Sequence, residues 1–307
     1  MLAILFSMLA SDCQSPLILI NLQAVFNILY GNMTAQSNMG PWADEPFPLI
    51  EIPSVKKKSD HFYLTAASEM AHAHNVLIRS LNAIIQQGPH IPISTDEQYE
   101  ATDVADFLDY VRCWVKTVHH HHSVEEEFIF PEMARFSGRP GLMDEPRHQH
   151  ETFQTVLKNL ESYSTSTKPE QYQWTGPHGM QQIIDSFSKD LTDHLYTEIQ
   201  VLLNMGDLSS EEYKKTWARA EVAAKASGNL TLLFEMVPLV LGSADKTFDG
   251  GEDFPPFPWI MPYLAKYGFA ARNGTWRFSP CDFWGKPRPL AFVGASTSVT
   301  VSTDHKT

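Results

Sequence analysis

The chain has 307 residues, of which 43% are hydrophobic and 19% charged, and these ordinary values exclude wholesale disorder. Its 36 Asp and Glu residues outnumber its 23 Lys and Arg residues, and the resulting formal net charge of -13 excludes nucleic acid as an expected partner. Three cysteines without CxxC spacing indicate neither a disulfide framework nor a thiolate zinc site, and they favour a reducing compartment.

Residues 1–57 form an apolar and then irregular N-terminal segment. Its apolar runs, 2–10 and 16–30, are shorter than the roughly 18 to 20 residues of a membrane-spanning helix, so no membrane span is expected. No Lys or Arg precedes Lys56, which is atypical of a secretory signal. We therefore expect a cytoplasmic protein. Two alternatives remain open: the protein is secreted, or translation begins at Met33 and the residues before it are a gene-model extension.

Four helices with apolar stripes at steps of three and four residues follow this segment. They are predicted over residues 59–87, 103–134, 145 to the Ser/Thr/Pro loop after 160, and 179–205. Helices of these lengths joined by loops predict an all-α fold, an antiparallel four-helix bundle over residues 58–207.

The C-terminal segment, residues 208–307, begins with a predicted fifth helix. Ser209 and Glu212 form a capping-box pattern, and helix-forming residues continue to Ala226. Beyond residue 243 the sequence is rich in Pro, Gly and aromatic residues without a period. We expect an irregular tail that packs its aromatic side chains on the bundle, with a frayed end over 296–307.

Histidine placement is the informative feature of the four bundle helices. Each apolar stripe carries a core-facing His, and in two of them a Glu follows four residues later. Four residues rotate a helix by about 400°, so each His and its Glu project from one face and can reach one ion. Burying these groups on faces without Lys or Arg is costly unless a cation lies among them. The predicted metal ligands are His74, His122, Glu126, His150, His194 and Glu198.

Neighbouring residues leave alternatives for two of these positions. In the run of four His, we prefer His122 because it shares the stripe of the apolar core residues, and His121 paired with Glu125 is the alternative. Otherwise Glu125 is expected on a solvated face. His74 is preferred to His72 because two residues correspond to about 200° of rotation, which turns His72 away from the core.

The donor types narrow the choice of metal. Imidazole and carboxylate without thiolate suit iron, manganese or zinc. A large, open set of nitrogen and oxygen donors favours iron, with manganese second, over a closed tetrahedral zinc site. Iron in such a site can also exchange electrons, which zinc cannot.

Four motifs occur in a distinctive order: His74, HSVEEEFIFP from His122, HETF from His150, and HLYTE from His194. These motifs, in this order, resemble those of the hemerythrin family, specifically its HHE cation-binding branch. The flanking segments PWADEPFPLI and TWRFSPCDFWG are similar to segments of hemerythrin-like proteins of filamentous fungi. The resemblance covers residues 58–207. It implies a non-heme di-iron centre inside the bundle, a ligand such as dioxygen, nitric oxide or peroxide, and an electron-donor protein as a further partner.

Two departures from oxygen-carrying hemerythrins adjust this expectation. Those proteins place a second His four residues before the third-helix ligand, where this chain has Pro146, and they use His-x-x-x-x-Asp where this chain has His194-x-x-x-Glu198. The missing His shifts the expectation from reversible oxygen carriage toward reactivity, sensing or storage. We expect a di-iron protein that binds or reacts with such a ligand, as an oxidoreductase if it turns over. The alternatives are a non-catalytic iron or oxygen sensor, in which the metal holds the helix bundle together, and a metal-free scaffold.

Overall fold

The computed structural model describes residues 42–57, 59–227, 230–271 and 274–293. The predicted N-terminal apolar runs and the frayed end lie outside these ranges. The long helices are α1 (Phe62–Gln87), α2 (Ala101–Val124), α3 (Asp144–Ser166), α4 (Ser188–Leu203), α5 (Ser210–Ser227) and α6 (Leu230–Ser243). Shorter helical pieces include Pro53–Lys56, Glu125–Ile129, Phe130–Ser137, Met180–Asp185 and Met261–Leu264. The described residues contain no β-strand, so the predicted all-α class is confirmed.

Helices α1 to α4 form the predicted four-helix bundle. Each packs against the next in sequence, and α4 returns to α1, which is the arrangement of an up-down-up-down bundle. The stripes meet in one core, where Leu81, Val111, Leu157 and Leu191 are almost fully buried. Burying each such side chain contributes about 1.5–3 kcal/mol, so apolar burial brings the four helices together. No helix in the described ranges combines the length and the apolar character needed to cross a bilayer.

Two helical features differ from the sequence pattern. The predicted helix over 179–205 is interrupted, because Met180–Asp185 ends and α4 begins only at Ser188. The backbone between them turns Phe187 into the core, where its ring stacks 6.2 Å from that of Trp114. Helix α6 was not predicted, and it contains Pro238.

The irregular segment before α1 is held by asparagines of that helix. Asn75 accepts a hydrogen bond from the Ile50 N–H at 2.7 Å and donates one to the Ile50 carbonyl at 2.8 Å. Asn82 makes the same pair of contacts with Phe47, at 3.1 and 2.8 Å. Side-chain amides thus satisfy backbone groups that no strand or helix would pair.

Replacing Asn75 with Ala should therefore destabilise the protein. The change leaves the buried N–H and carbonyl of Ile50 without partners, at a cost of about 1–3 kcal/mol for each group. Urea unfolding measures the effect, with Asn159→Ala on the exposed face of α3 as the control. Equal stability of the two variants would show that this segment is not held by Asn75.

The segment after α6 lies against the bundle. Phe278 is fully buried, its ring is 5.2 Å from that of Phe107, and its carbonyl accepts a hydrogen bond from the Gln87 side chain at 2.9 Å. Glu235 of α6 forms ion pairs with Arg112 and Lys116 of α2. The three-part division of the chain stays a prediction.

Candidate metal centre

Four of the predicted His side chains meet inside the bundle. His74, His122, His150 and His194 each come from a different helix, and all four are buried. The ring of His150 lies 4.1 Å from that of His122 and 4.5 Å from that of His194, measured between centroids. His74 is farther away, 6.5 Å from His194. The four imidazoles are therefore spread over more than one potential ion position.

The first group of potential ligands consists of His122, Glu125, His150 and His194, whose donor atoms all lie within 4.8 Å of one another. The Nε2 atoms of His150 and His194 are 3.0 Å apart. Their Nδ1 atoms face Glu126 Oε1 at 2.7 Å and Gln149 Oε1 at 3.1 Å, acceptors that place the ring protons on Nδ1.

Two Nε2 lone pairs therefore face each other across 3.0 Å. The two lone pairs repel each other unless both coordinate one cation. The separation is that of two donors at right angles on an ion about 2.1 Å from each, a normal metal–imidazole distance. The pair therefore fits a shared metal ion.

The second group consists of His74, His121 and Glu125, so Glu125 belongs to both. Glu125 Oε1 lies 2.8 Å from His121 Nε2 and 3.9 Å from His74 Nε2, whereas its Oε2 lies 3.6 Å from His150 Nε2. The two oxygens of one carboxylate thus face different groups. Glu198 Oε2 also lies between the groups, 3.5 Å from His74 Nε2 and 3.8 Å from His194 Nε2.

The carboxylate that α2 contributes differs from the one expected from sequence. Glu125 is fully buried, although a solvated position was expected, whereas the Glu126 side chain is 38% exposed and contacts Nδ1 of His150 rather than an Nε2 atom. Glu125 follows His121 by four residues and His122 by three, and therefore lies between them on one helix face. Glu126 lies about 100° farther round. The geometry places Glu125, and not Glu126, in the cluster.

A π-helical turn begins at this residue. The N–H of Phe130 bonds to the carbonyl of Glu125, five residues earlier, in place of the usual four. Such turns are frequent at functional sites. The wider turn changes the side-chain register after Glu125, so regular helical spacing does not extend through Glu125–Ile129.

The cluster also contains unpaired polar atoms. Among the described residues, Nε2 of His74, His121 and His122 and both carboxylate oxygens of Glu125 and Glu198 are buried without an aligned hydrogen-bond partner, although His121 Nε2 lies 2.8 Å from Glu125 Oε1. Buried polar atoms are normally paired, and each unpaired one costs about 1–3 kcal/mol or more. Nitrogen and oxygen donors that converge in this way fit cations, so the residues present suit a metal.

The electrostatics of the site agree with this interpretation. Burial lowers the pKa of His121 to about 4 and that of His194 to about 3, so both imidazoles are neutral near pH 7, the form that binds metal. Burial, together with the charge of Glu198, raises the pKa of Glu125 to about 8. Two carboxylates close together without Lys or Arg repel each other, and a cation between them relieves that repulsion.

Two other His residues near the predicted ligands lie outside the cluster. His72 is half-buried and stacks on Phe254, with ring centroids 4.9 Å apart. His148 is exposed beside Glu151. His121 joins the cluster, a role that was predicted only as an alternative to His122.

Two comparisons with known proteins find a match, and the family match spans every residue of this centre. Residues 65–205 match the family described as Hemerythrin HHE cation binding domain. The chain is also similar to "Dimeric xanthone biosynthesis cluster protein R11" of Cryptosporiopsis sp. (strain 8999), with 36% identity over 257 residues, or 82% of this chain and 93% of that protein. No solved structure matches the chain significantly.

Proposed function

Because the chain belongs to the hemerythrin family of HHE cation-binding proteins, we propose that its His and Glu cluster holds two iron ions that bind or react with dioxygen, nitric oxide or peroxide. Membership of the family implies a bound metal, and the cluster supplies donors for it. The observation that carries the proposal is Glu125, whose two oxygens face different ligand groups. A carboxylate in that position is suited to bridging two ions.

The proposed ligand set differs from the sequence expectation at two residues. Glu125 replaces Glu126, and His121 joins as a fifth imidazole, which compensates for the His that Pro146 replaces in the third helix. Glu198 lies close enough to both groups to serve either ion. The full set is His74, His121, His122, Glu125, His150, His194 and Glu198.

Iron in this set would supply electron exchange and open coordination positions for a small ligand. The chain's own residues prepare the site for that chemistry. His74, Glu125 and Glu198 have no exposed surface, so the site excludes bulk water. Burial lowers the pKa of the other four imidazoles, so little proton competes for their inward nitrogen atoms. At His74 burial acts in the same direction, but the contacts with Glu125 and Glu198 outweigh it and raise the pKa.

Anaerobic loading with iron(II) tests the proposal. We expect about two iron ions per chain, and a visible absorption change on addition of at least one of dioxygen, nitric oxide or peroxide. His122→Ala should lose iron and the absorption change, whereas His120→Ala, a half-buried member of the same His run outside the cluster, should retain both. Two bound ions that respond to none of the three ligands would overturn the proposed reactivity and favour storage.

A role in making an aromatic natural product is a second candidate. It is supported by the likeness to R11, whose name places that protein in a cluster for dimeric xanthone biosynthesis. Deletion of the gene in its native host, followed by profiling of aromatic metabolites, should show the loss of one product; an unchanged profile would contradict this role.

A further inference from the structure

Three metal-facing imidazoles are each held on their outer nitrogen by a group from a neighbouring helix. Glu126 of the π-helical turn after α2 accepts from His150 of α3 at 2.7 Å, and Gln149 of α3 accepts from His194 of α4 at 3.1 Å. The backbone carbonyl of residue 195 in α4 accepts from Nδ1 of His74 in α1 at 2.8 Å. The contacts therefore run from α2 to α3, from α3 to α4 and from α4 to α1.

Each accepting residue is adjacent in sequence to a proposed ligand. Glu126 follows Glu125, Gln149 precedes His150, and Leu195 follows His194. Adjacent helical residues project about 100° apart, so one can face the centre while its neighbour faces the next helix. This spacing lets α3, α4 and the turn after α2 each contribute a ligand and orient another.

We infer that Glu126 and Gln149 are positioning residues that fix the rings and tautomers of His150 and His194 before metal arrives. This inference rests on the proposed function. An acceptor on Nδ1 requires the ring proton there, so the lone pair of Nε2 points into the cluster. Such contacts to a metal-bound imidazole also raise its basicity.

The two acceptors differ in strength. The Glu126–His150 contact, at 2.7 Å, has the length of a charge-assisted hydrogen bond, whereas the Gln149 amide offers a neutral acceptor at 3.1 Å. The Gln149 amide is oriented by its own Nε2, which donates to Glu145 at 3.2 Å. His150 is therefore the more strongly electron-donating imidazole of the two.

Exchanging the two acceptors tests this inference. Glu126→Gln should weaken cobalt(II) binding by about 10-fold or more and raise the midpoint potential of the iron-loaded protein. Gln149→Glu should lower that potential, because a carboxylate makes His194 the stronger donor. The second change is made together with Glu145→Gln, which retains an amide beside the new carboxylate. Glu127→Gln, at an exposed position, is the control.

A readout without metal completes the test. Long-range ¹⁵N–¹H NMR of the metal-free protein should show His150 and His194 with the proton on Nδ1, and Glu126→Ala should shift His150 toward the Nε2–H tautomer. Wild-type rings with the proton on Nε2 would overturn the inference whatever the metal content. If the wild type binds metal but both exchanges move the midpoint potential in the same direction, the inference is overturned and the proposed function stands. A wild type that binds no metal would overturn the proposed function.

Discussion

Replacing Glu125 with Ala should reduce bound metal from about two ions per chain to one or none, and should lower the affinity for any remaining ion by more than about 100-fold. Glu125 is the residue that belongs to both ligand groups, so its loss removes a donor from each. Changes to residues that only support metal ligands typically cost 10- to 100-fold in affinity, and loss of a shared ligand should exceed that range. Elemental analysis and competition titration with cobalt(II) measure the two effects.

The matched comparison is Glu126→Ala, one residue along the same turn. That variant should retain the number of bound ions and lose only affinity, because Glu126 contacts Nδ1 of His150 and not the inward face of the cluster. Glu127→Ala, at an exposed position, should change neither quantity. If Glu126→Ala lost an ion and Glu125→Ala did not, the assignment of the two carboxylates would be reversed.

Removing the metal should lower the melting temperature substantially. An ion present at about 1,000 times its Kd stabilises the folded state by about 4 kcal/mol, or roughly 8–16 °C in Tm for a domain of this size. The metal-free protein also retains the unpaired atoms of Glu125 and Glu198 in its core. Differential scanning calorimetry with and without a chelator measures the change.

His122→Ala provides the control for this effect. Its melting temperature should be the same with and without chelator, because its metal site is already impaired, while His120→Ala should respond as the wild type does. An equal response to chelator in wild type and His122→Ala would show that the stabilising metal binds elsewhere.

Much of the fold could be predicted because apolar periodicity is a local property. The stripes of α1 to α4 and the Ser209 cap of α5 are read directly from residue spacing, and Glu212 donates its N–H to Ser209 Oγ at 3.4 Å. The interruption before α4 could not be predicted, because the apolar spacing continues across it and Phe187, at the break, still packs in the core against Trp114.

The same spacing indicates the four His that the structure brings together, but it does not indicate which α2 carboxylate lies among them. Regular spacing pairs His122 with a Glu four residues later, but a Glu three residues later lies on the same face just as well. In the structure His121 and His122 belong to different ligand groups, and Glu125 belongs to both. The sequence HHHHSVEEE at residues 119–127 allows either pairing of His and Glu, and only the packed helices select one.

The central claim is that this bundle holds two ions, and the metal content of the wild-type chain tests it most directly. Elemental analysis of protein purified without oxygen should find about two iron ions per chain. One ion, zinc alone, or no metal after anaerobic loading would contradict the claim, because the two oxygens of Glu125 would then have no pair of ions to join.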